Sequence, residues 1–206
     1  MYIPKNFLMA DKEEIVSFMK KFSFASIITV KDDSPVATHL PFIITTKNDQ
    51  VVLTSHFAKA NEQWKEITDN QNLIIFAEPH AYISPSNYEK ELNVPTWNYI
   101  AVHAYGKARL ITEPQQMLAV LEHTITTYEA GYKQQWDSLP EDYKLKMLKG
   151  IVAFEIVVTD LQGKKKLSQN KTESERLRVI ESLKHSTNGN ERLIADYMKE
   201  NLVNKE

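Results

Sequence analysis

The chain has 206 residues, no cysteine and a formal net charge of −2 at pH 7, and 42% of its residues are hydrophobic and 25% charged. These values are ordinary for a globular protein of one domain, or of one domain with an appendage. They exclude disulfides, thiolate nucleophiles and cysteine-held metal clusters, and they lack the strong basic excess of a dedicated nucleic-acid binder.

The N-terminal segment carries no long apolar run of the kind found in a secretory signal, and the longest apolar runs have only the length of a strand. We therefore predict a cytoplasmic protein. Asp11 followed by Glu14 is typical of a helix start, and an apolar stripe with helical spacing follows at Ile15, Phe18, Met19 and Phe22.

The next segments predict strands over residues 24–30, 36–46 and 50–56, joined by two short turns that suit antiparallel hairpins. A helix is predicted after this third strand, with Ala60, Trp64 and Ile67 on one face. Further strands are predicted over 72–76 and 97–111, with a bulge at Gly106, and a central buried strand over 151–158. Helices should begin at Pro114 and near Pro140, and two more should cover 175–183 and 191–202. The pattern favours a mainly antiparallel, closed or partly closed barrel with helical decoration.

The junction after the third strand gathers hydrogen-bond donors at Thr54, Ser55, His56, Lys59 and Asn61. If a helix starts there, its unpaired N–H groups and the lysine would suit an anion such as a phosphate. The alternative is a capped helix beside a solvated lysine.

Three other stretches could also carry function. His39 and Pro41 lie within a predicted strand, and a proline there implies an edge strand or a backbone that faces a ligand. Residues 78–108 are rich in tyrosine, tryptophan and histidine, which suits a planar ligand or a subunit interface. The alternative is that these side chains are an ordinary mixture of core and surface residues. The lysine run in residues 163–175 reads as a basic loop that could contact a phosphate, a flavin or nucleic acid, or that is simply solvated.

The six histidines show no metal-ligand spacing, so no metal site is predicted, although four of them could still converge on a haem. The sequence has no glycine-rich phosphate loop and no recognisable hydrolytic constellation.

Several stretches together resemble the PaiB-type family of FMN-binding negative transcriptional regulators: MYIPKNF, ATHLPF, SHFAKANEQW, PHAYISPSNY, VPTWNYIAVHAYGKA, LKGIVAFEI and KLSQNK. The resemblance implies an FMN-binding split β-barrel over residues 1–171 and a helical extension over 172–206. It also implies a homodimer and a role in the control of protease and sporulation genes, with direct DNA contact only weakly supported by the charge.

The resemblance also assigns cofactor-binding positions. Oxidase relatives carry Ser-Arg-Lys where this chain has Ala58-Lys59-Ala60, so one positive charge is kept. The residues expected to contact FMN are Thr38, His39, Leu40, Pro41, Thr54, Ser55, His56, Lys59, Asn61, Trp97, Asn98, Gln169 and Asn170. Because flavin chemistry belongs largely to the cofactor, an FMN-dependent oxidoreductase is the alternative function even though no catalytic residue is evident. A haem-binding split barrel is the other alternative.

Overall fold

A computed structural model describes residues 1–203. Its strands are β1 (Leu8–Met9), β2 (Phe24–Lys31), β3 (Ser34–Pro41), β4 (Ile43–Lys47), β5 (Gln50–Ala58), β6 (Asn72–Ile83), β7 (Thr96–Ile111) and β8 (Ile151–Lys166). Its helices are α1 (Lys12–Lys21), α2 (Pro114–Tyr128), α3 (Lys133–Ser138), α4 (Glu141–Leu148), α5 (Glu173–Lys184) and α6 (Gly189–Val203). Short 3-10 helices cover Lys5–Phe7, Glu62–Lys65, Pro85–Asn87 and Ala130–Tyr132.

The eight strands of the described chain form one sheet in the order β3-β2-β6-β7-β8-β5-β4, and β1 pairs with β8 outside this path. The registers of β1–β8, β2–β3, β2–β6, β4–β5 and β5–β8 are all antiparallel. The path ends at β3 and β4, so the sheet is open. The predicted mainly antiparallel sheet with helical decoration is confirmed.

Both predicted hairpins are present, and each turns on two residues with positive φ. Asp32 and Asp33 join β2 to β3, while Asn48 and Asp49 join β4 to β5. Positive φ at both central positions is the geometry that matches the twist of a two-residue hairpin, and Asn and Asp tolerate it best after glycine.

The predicted strand over residues 36–46 is two strands in the structure. β3 ends at Pro41, and the fully buried Phe42 forms a corner before β4 begins. The N–H of Phe42 donates to the carbonyl of Ser23 at 2.8 Å, outside any ladder. The chain therefore leaves one edge of the sheet at Phe42 and starts the opposite edge strand at Ile43.

The chain divides into two compact units, and β6, β7 and β8 contribute residues to both. The α2 unit comprises Val16–Phe76 and His103–Leu161, and its core includes the packed rings of Phe42, Phe57, Phe76 and Phe154. The α5–α6 unit comprises Met1–Ile15, Ala77–Val102 and the chain from Gln162 onward, and it buries Val179, Ile194 and Met198. A domain boundary after residue 171 stays a prediction, and positions 204–206 of the predicted extension lie outside the described residues.

One other prediction needs correction in part. The lysine run forms a loop only from residue 167 to residue 172, because β8 continues to Lys166; Lys171 lies in that loop. Gly106 lies within β7, where it allows a close approach to β8: a Cβ at this position would lie 2.4 Å from the carbonyl oxygen of Val157. The bulge at Gly106 stays a prediction. The sequence did not predict α3.

Candidate functional site

The junction that follows the third predicted strand, here called the corner after β5, contains less helix than predicted. The expected α-helix is wrong, because the segment forms only the one-turn 3-10 helix Glu62–Lys65. The side-chain oxygen of Asn61 accepts from the N–H of Gln63 at 3.1 Å and so occupies one of the free donors. A single turn has little macrodipole, so any anion at this corner depends on side-chain donors.

Thr38 and Asn61, two of the expected cofactor contacts, lie in one hydrogen-bond network. The amide nitrogen of Asn61 donates to Thr38 Oγ1 at 2.8 Å, and Thr38 Oγ1 donates to Gln63 Oε1 at 2.5 Å. Gln63 is 5% exposed, and its Nε2 donates to the carbonyls of Ile27 and Val36 at 3.2 and 3.1 Å. The network fixes the corner against β2 and β3. One hydrogen of the Asn61 side-chain amide is left without a hydrogen-bond acceptor within residues 1–203.

Lys59 supplies the positive charge of this corner. Its backbone N–H donates to the carbonyl of Gly150 at 2.8 Å, and its own carbonyl accepts from the indole nitrogen of Trp64 at 3.2 Å. The backbone is thus held while the side chain is exposed. The next carboxylate in the chain, Glu62, is 2.6 Å from Lys65 and 3.9 Å from Lys31. Within residues 1–203, no ion pair of the Lys59 ammonium is found.

β3 is an edge strand, which confirms the interpretation of Pro41 as an edge proline. One nitrogen of Gln63 can reach the carbonyl oxygens of both Ile27 and Val36 only if both carbonyls point into the gap between β2 and β3. Antiparallel backbone groups alternate in direction, so the N–H and C=O of Ala37 and His39 face away from β2. This part of the edge offers backbone donors and acceptors to a ligand.

The side chains of β5 alternate between two environments. Ser55 is 3% exposed and donates to the carbonyl of Pro41 at 2.7 Å, which joins two of the predicted contact residues. Thr54 and His56 lie on the opposite face, where Thr54 lines a cavity of about 370 Å³ together with Arg109 and Glu155. His39, on the outer face of β3, bonds through Nδ1 to the Ser26 hydroxyl at 2.8 Å, and Leu40 points into the core.

His56 and His103 predict a dependence of stability on pH. Burial lowers the pKa of each imidazole below its ordinary value of 6.5. The unfolded chain then binds more protons than the native protein below about pH 6.5, so stability is full above that pH and falls as the pH drops toward the native pKa values. We expect urea midpoints to fall between pH 7 and pH 5, and less so in His56→Gln. An equal slope in His56→Gln would contradict a contribution from His56.

The other predicted contacts belong to the α5–α6 unit. Trp97 is 53% exposed, and its ring lies 5.9 Å from those of both His80 and Tyr82. Asn98 is fully buried, and its amide donates to the Ser168 hydroxyl at 2.9 Å and contacts Met198 Sδ at 3.4 Å. Trp97 is therefore accessible to a ligand, whereas Asn98 is occupied by protein partners.

Gln169 closes the turn at the end of β8. Its side-chain oxygen accepts from the N–H of Leu167 and its nitrogen donates to the carbonyl of Lys165, each at 2.7 Å. Asn170 is exposed. The glutamine thus shapes the turn, and the following asparagine is the accessible amide.

Two lysines in β8 were missed as individual site candidates. Lys164 is 8% exposed, donates to the carbonyl of Tyr2 at 3.2 Å and lies over the ring of Tyr99 at 5.0 Å. Lys166 donates to Thr96 Oγ1, and burial together with the charge of Lys164 lowers the pKa of its ammonium. Lys165 pairs instead with Glu14 at 2.5 Å. Side chains in a strand point alternately to two faces, and this alternation is the signal that would have distinguished Lys164 and Lys166 from Lys165.

Residues 1–203 contain neither a metal-binding cluster nor a membrane-spanning helix. No group of three histidine or acidic side chains is arranged to hold a metal ion. None of the helices in this part of the chain combines the length and apolar character that a membrane crossing requires.

An open, mainly antiparallel sheet of this strand order defines the fold class as a split barrel, which solved structures of low identity share. Residues 1–160 match the family described as "Putative FMN-binding domain", and the chain belongs to that family. It is 42% identical over 205 residues to "Protease synthase and sporulation protein PAI 2" of Bacillus subtilis, with 98% of each chain covered.

Solved structures support the same fold. The chain resembles the FAD and heme binding protein from Mycobacterium smegmatis with a TM-score of 0.60 and 13% identity, covering 81% of this chain and 77% of the other. It resembles the flavocytochrome Anf3 from Azotobacter vinelandii with a TM-score of 0.60 and 14% identity, covering 80% and 72% of the two chains. At these identities the similarity shows the fold alone.

Proposed function

We propose that this protein binds FMN and acts in the cytoplasm as a regulator of the PaiB type. The observation that carries the cofactor assignment is the corner after β5, where the exposed ammonium of Lys59 has no ion pair within residues 1–203. A terminal phosphate needs such a donor, and charge-assisted hydrogen bonds are the strong ones in phosphate recognition. FMN carries this phosphate, and riboflavin does not.

The residues present fit the cofactor in kind. Lys59 and the unassigned amide hydrogen of Asn61 would hold the phosphate, and the backbone groups of Ala37 and His39 on the free edge of β3 would bind the polar rim of the ring. When bound, the flavin supplies hydride and electron transfer. The chain itself contributes binding, orientation and charge.

Binding of FMN is tested by titrating the purified protein with FMN and following flavin fluorescence and thermal unfolding. At about 100 times the dissociation constant, FMN should raise the free energy of unfolding by roughly 2.7 kcal/mol. Riboflavin at the same concentration should stabilise less. If FMN causes neither fluorescence change nor thermal shift, the cofactor assignment is wrong.

We propose further that the protein is a homodimer through the outer face of β2 and β3. The apolar cross-strand pairs Phe24–Pro41, Ile28–Ala37 and Val30–Pro35 place their side chains on this one face, with the polar pair Ser26–His39 among them. Phe24 is 67% exposed and Val30 is 51% exposed. An apolar face of this kind on an edge strand is a usual site of association, and a second copy is the partner that the split-barrel resemblance implies.

Phe24→Glu should therefore convert the dimer to a monomer, because the interface would bury two unpaired carboxylates, one from each copy. Sedimentation equilibrium measures the mass. Leu92→Glu is the matched control, since Leu92 is a 97% exposed apolar residue that belongs to neither β2 nor β3. A monomeric wild-type protein, or an unchanged mass for Phe24→Glu, would refute this interface.

The regulatory role is supported by the similarity to the Bacillus subtilis protein, whose name refers to protease synthesis and sporulation. The charge of the chain gives little support for direct DNA contact, because the net charge is −2. A gel-shift assay with protease-gene promoter fragments separates the routes. A salt-dependent shift would support direct binding, whereas no shift at low salt would leave regulation through a partner protein or metabolite.

A further inference from the structure

Two adjoining cavities lie between β4 and α2 in the α2 unit. They have volumes of about 430 and 370 Å³ and share Thr45 and His123 in their walls. Because they share these walls, we treat them as one depression, the α2 groove. Each volume is within the range that holds a small molecule.

The groove carries positive charge in a slightly acidic protein. Lys20, Lys47 and Arg109 line it against a single carboxylate, that of Glu155. Glu155 holds Arg109 through Nε at 3.2 Å and Nη2 at 2.8 Å, so the guanidinium is oriented while Nη1 has no assigned partner. Lys20 and Lys47 have no ion pair within residues 1–203. The formal balance at the groove is therefore two positive charges.

Thr45, which lines both cavities, carries an unsatisfied hydroxyl. Thr45 Oγ1 is shielded from bulk water and has no hydrogen-bond partner within the described residues. Buried polar atoms in native proteins are nearly always paired, and an orphaned one calls for an explanation such as an absent ligand. A hydroxyl donates readily to the oxygen of an anion.

The remaining lining is mixed: Ser23, Thr46, Thr127 and Gln116 are polar, and apolar side chains lie beside them. Phe42 and Ile44 line one cavity, and Ile111 and Val120 line the other. A ligand that matches both kinds of wall has a charged head and an apolar body. We propose that the α2 groove binds a small organic anion, with its carboxylate or phosphate near Arg109 and Thr45 and its apolar part against the side of α2.

This site differs from the proposed cofactor corner. None of its charged residues belongs to the expected FMN contacts, and Thr54 is the residue common to both sets. The inference therefore goes beyond the proposed flavin binding, and either assignment can fail without the other.

Calorimetric titration of the full chain with butyrate, succinate and inorganic phosphate tests the groove, with butyramide as the uncharged match for butyrate. The titrations are run with flavin-free protein and with protein saturated with FMN. We expect saturable binding of at least one anion and none of butyramide. If none of the three anions binds at tens of millimolar, or if butyramide binds as well as butyrate, the proposal is wrong.

Variants locate the binding. Arg109→Gln and Thr45→Val should each weaken the bound anion about tenfold, the loss expected for one hydrogen bond. Lys149→Gln is the control, because Lys149 is an exposed lysine of the same unit outside the groove. Melting curves check that Thr45→Val folds, and FMN affinity should stay unchanged in Arg109→Gln. Equal anion affinity in Arg109→Gln and the wild type would place the anion elsewhere and overturn the assignment.

Discussion

Replacing Gly106 by alanine should lower the free energy of unfolding by about 3 kcal/mol or more, above the usual range for overpacking a core. The added Cβ would lie 2.4 Å from the carbonyl oxygen of Val157 and 2.7 Å from a methyl group of Ile156. The clash is with backbone, so no side-chain rotation relieves it. The strand is also held on its other side, since fully buried Asn72 donates to the carbonyl of Gly106 at 3.0 Å.

Urea unfolding at neutral pH measures this loss through the midpoint, provided that the slope stays the same. Gly131→Ala is the matched control, because a Cβ there meets no atom within 4 Å. We expect its effect to stay within about 1 kcal/mol and to have either sign. If the two alanine variants unfold at the same urea concentration, the contact between β7 and β8 is looser than the structure indicates.

The parts of the fold that local sequence determines could be predicted. The paired turn residues at 32–33 and 48–49 have positive φ, and Pro41 lies on an edge strand as its missing N–H requires. Helices α2 and α4 begin at Pro114 and directly after Pro140. In each case the deciding interaction lies within a few residues of the signal.

The corner after β5 could not be predicted, because distant partners decide it. Residues 60–67 have helical spacing, yet Gln63 is bound to carbonyls that lie 36 and 27 residues earlier in the chain. Holding Gln63 in that network restricts the segment to one turn. The same limit applies to the candidate site: its residue types are visible in the sequence, but their hydrogen-bond partners are not.

The lysine run shows a different limit. Composition suggests a solvated loop, whereas the residues continue β8 and point alternately to two faces. Lys165 meets Glu14, and Lys164 lies over the ring of Tyr99. Alternation over only four residues is too short a signal to outweigh a strongly charged composition. The strand is identified by its partners, such as Leu8 and Met9, which pair with residues 164 and 163.

Lys59→Ala should weaken FMN by roughly 10- to 150-fold, which corresponds to about 1.5–3 kcal/mol for one charge-assisted contact. The loss should be confined to the phosphate, so the affinity for riboflavin should not change. Fluorescence titration of both flavins measures the two effects on the same protein. Because the ammonium is exposed, the difference should shrink as salt is added.

Lys65→Ala is the matched control for Lys59→Ala. It removes an equal charge from the same corner, but Lys65 is already paired with Glu62 at 2.6 Å, so its loss should change FMN affinity by less than about 1 kcal/mol. Lys59→Arg keeps the charge and should retain most of the affinity. If Lys59→Ala weakens FMN and riboflavin equally, the lysine acts on the ring or on the fold, and the phosphate lies elsewhere. If neither flavin is affected, the corner after β5 is not the cofactor site.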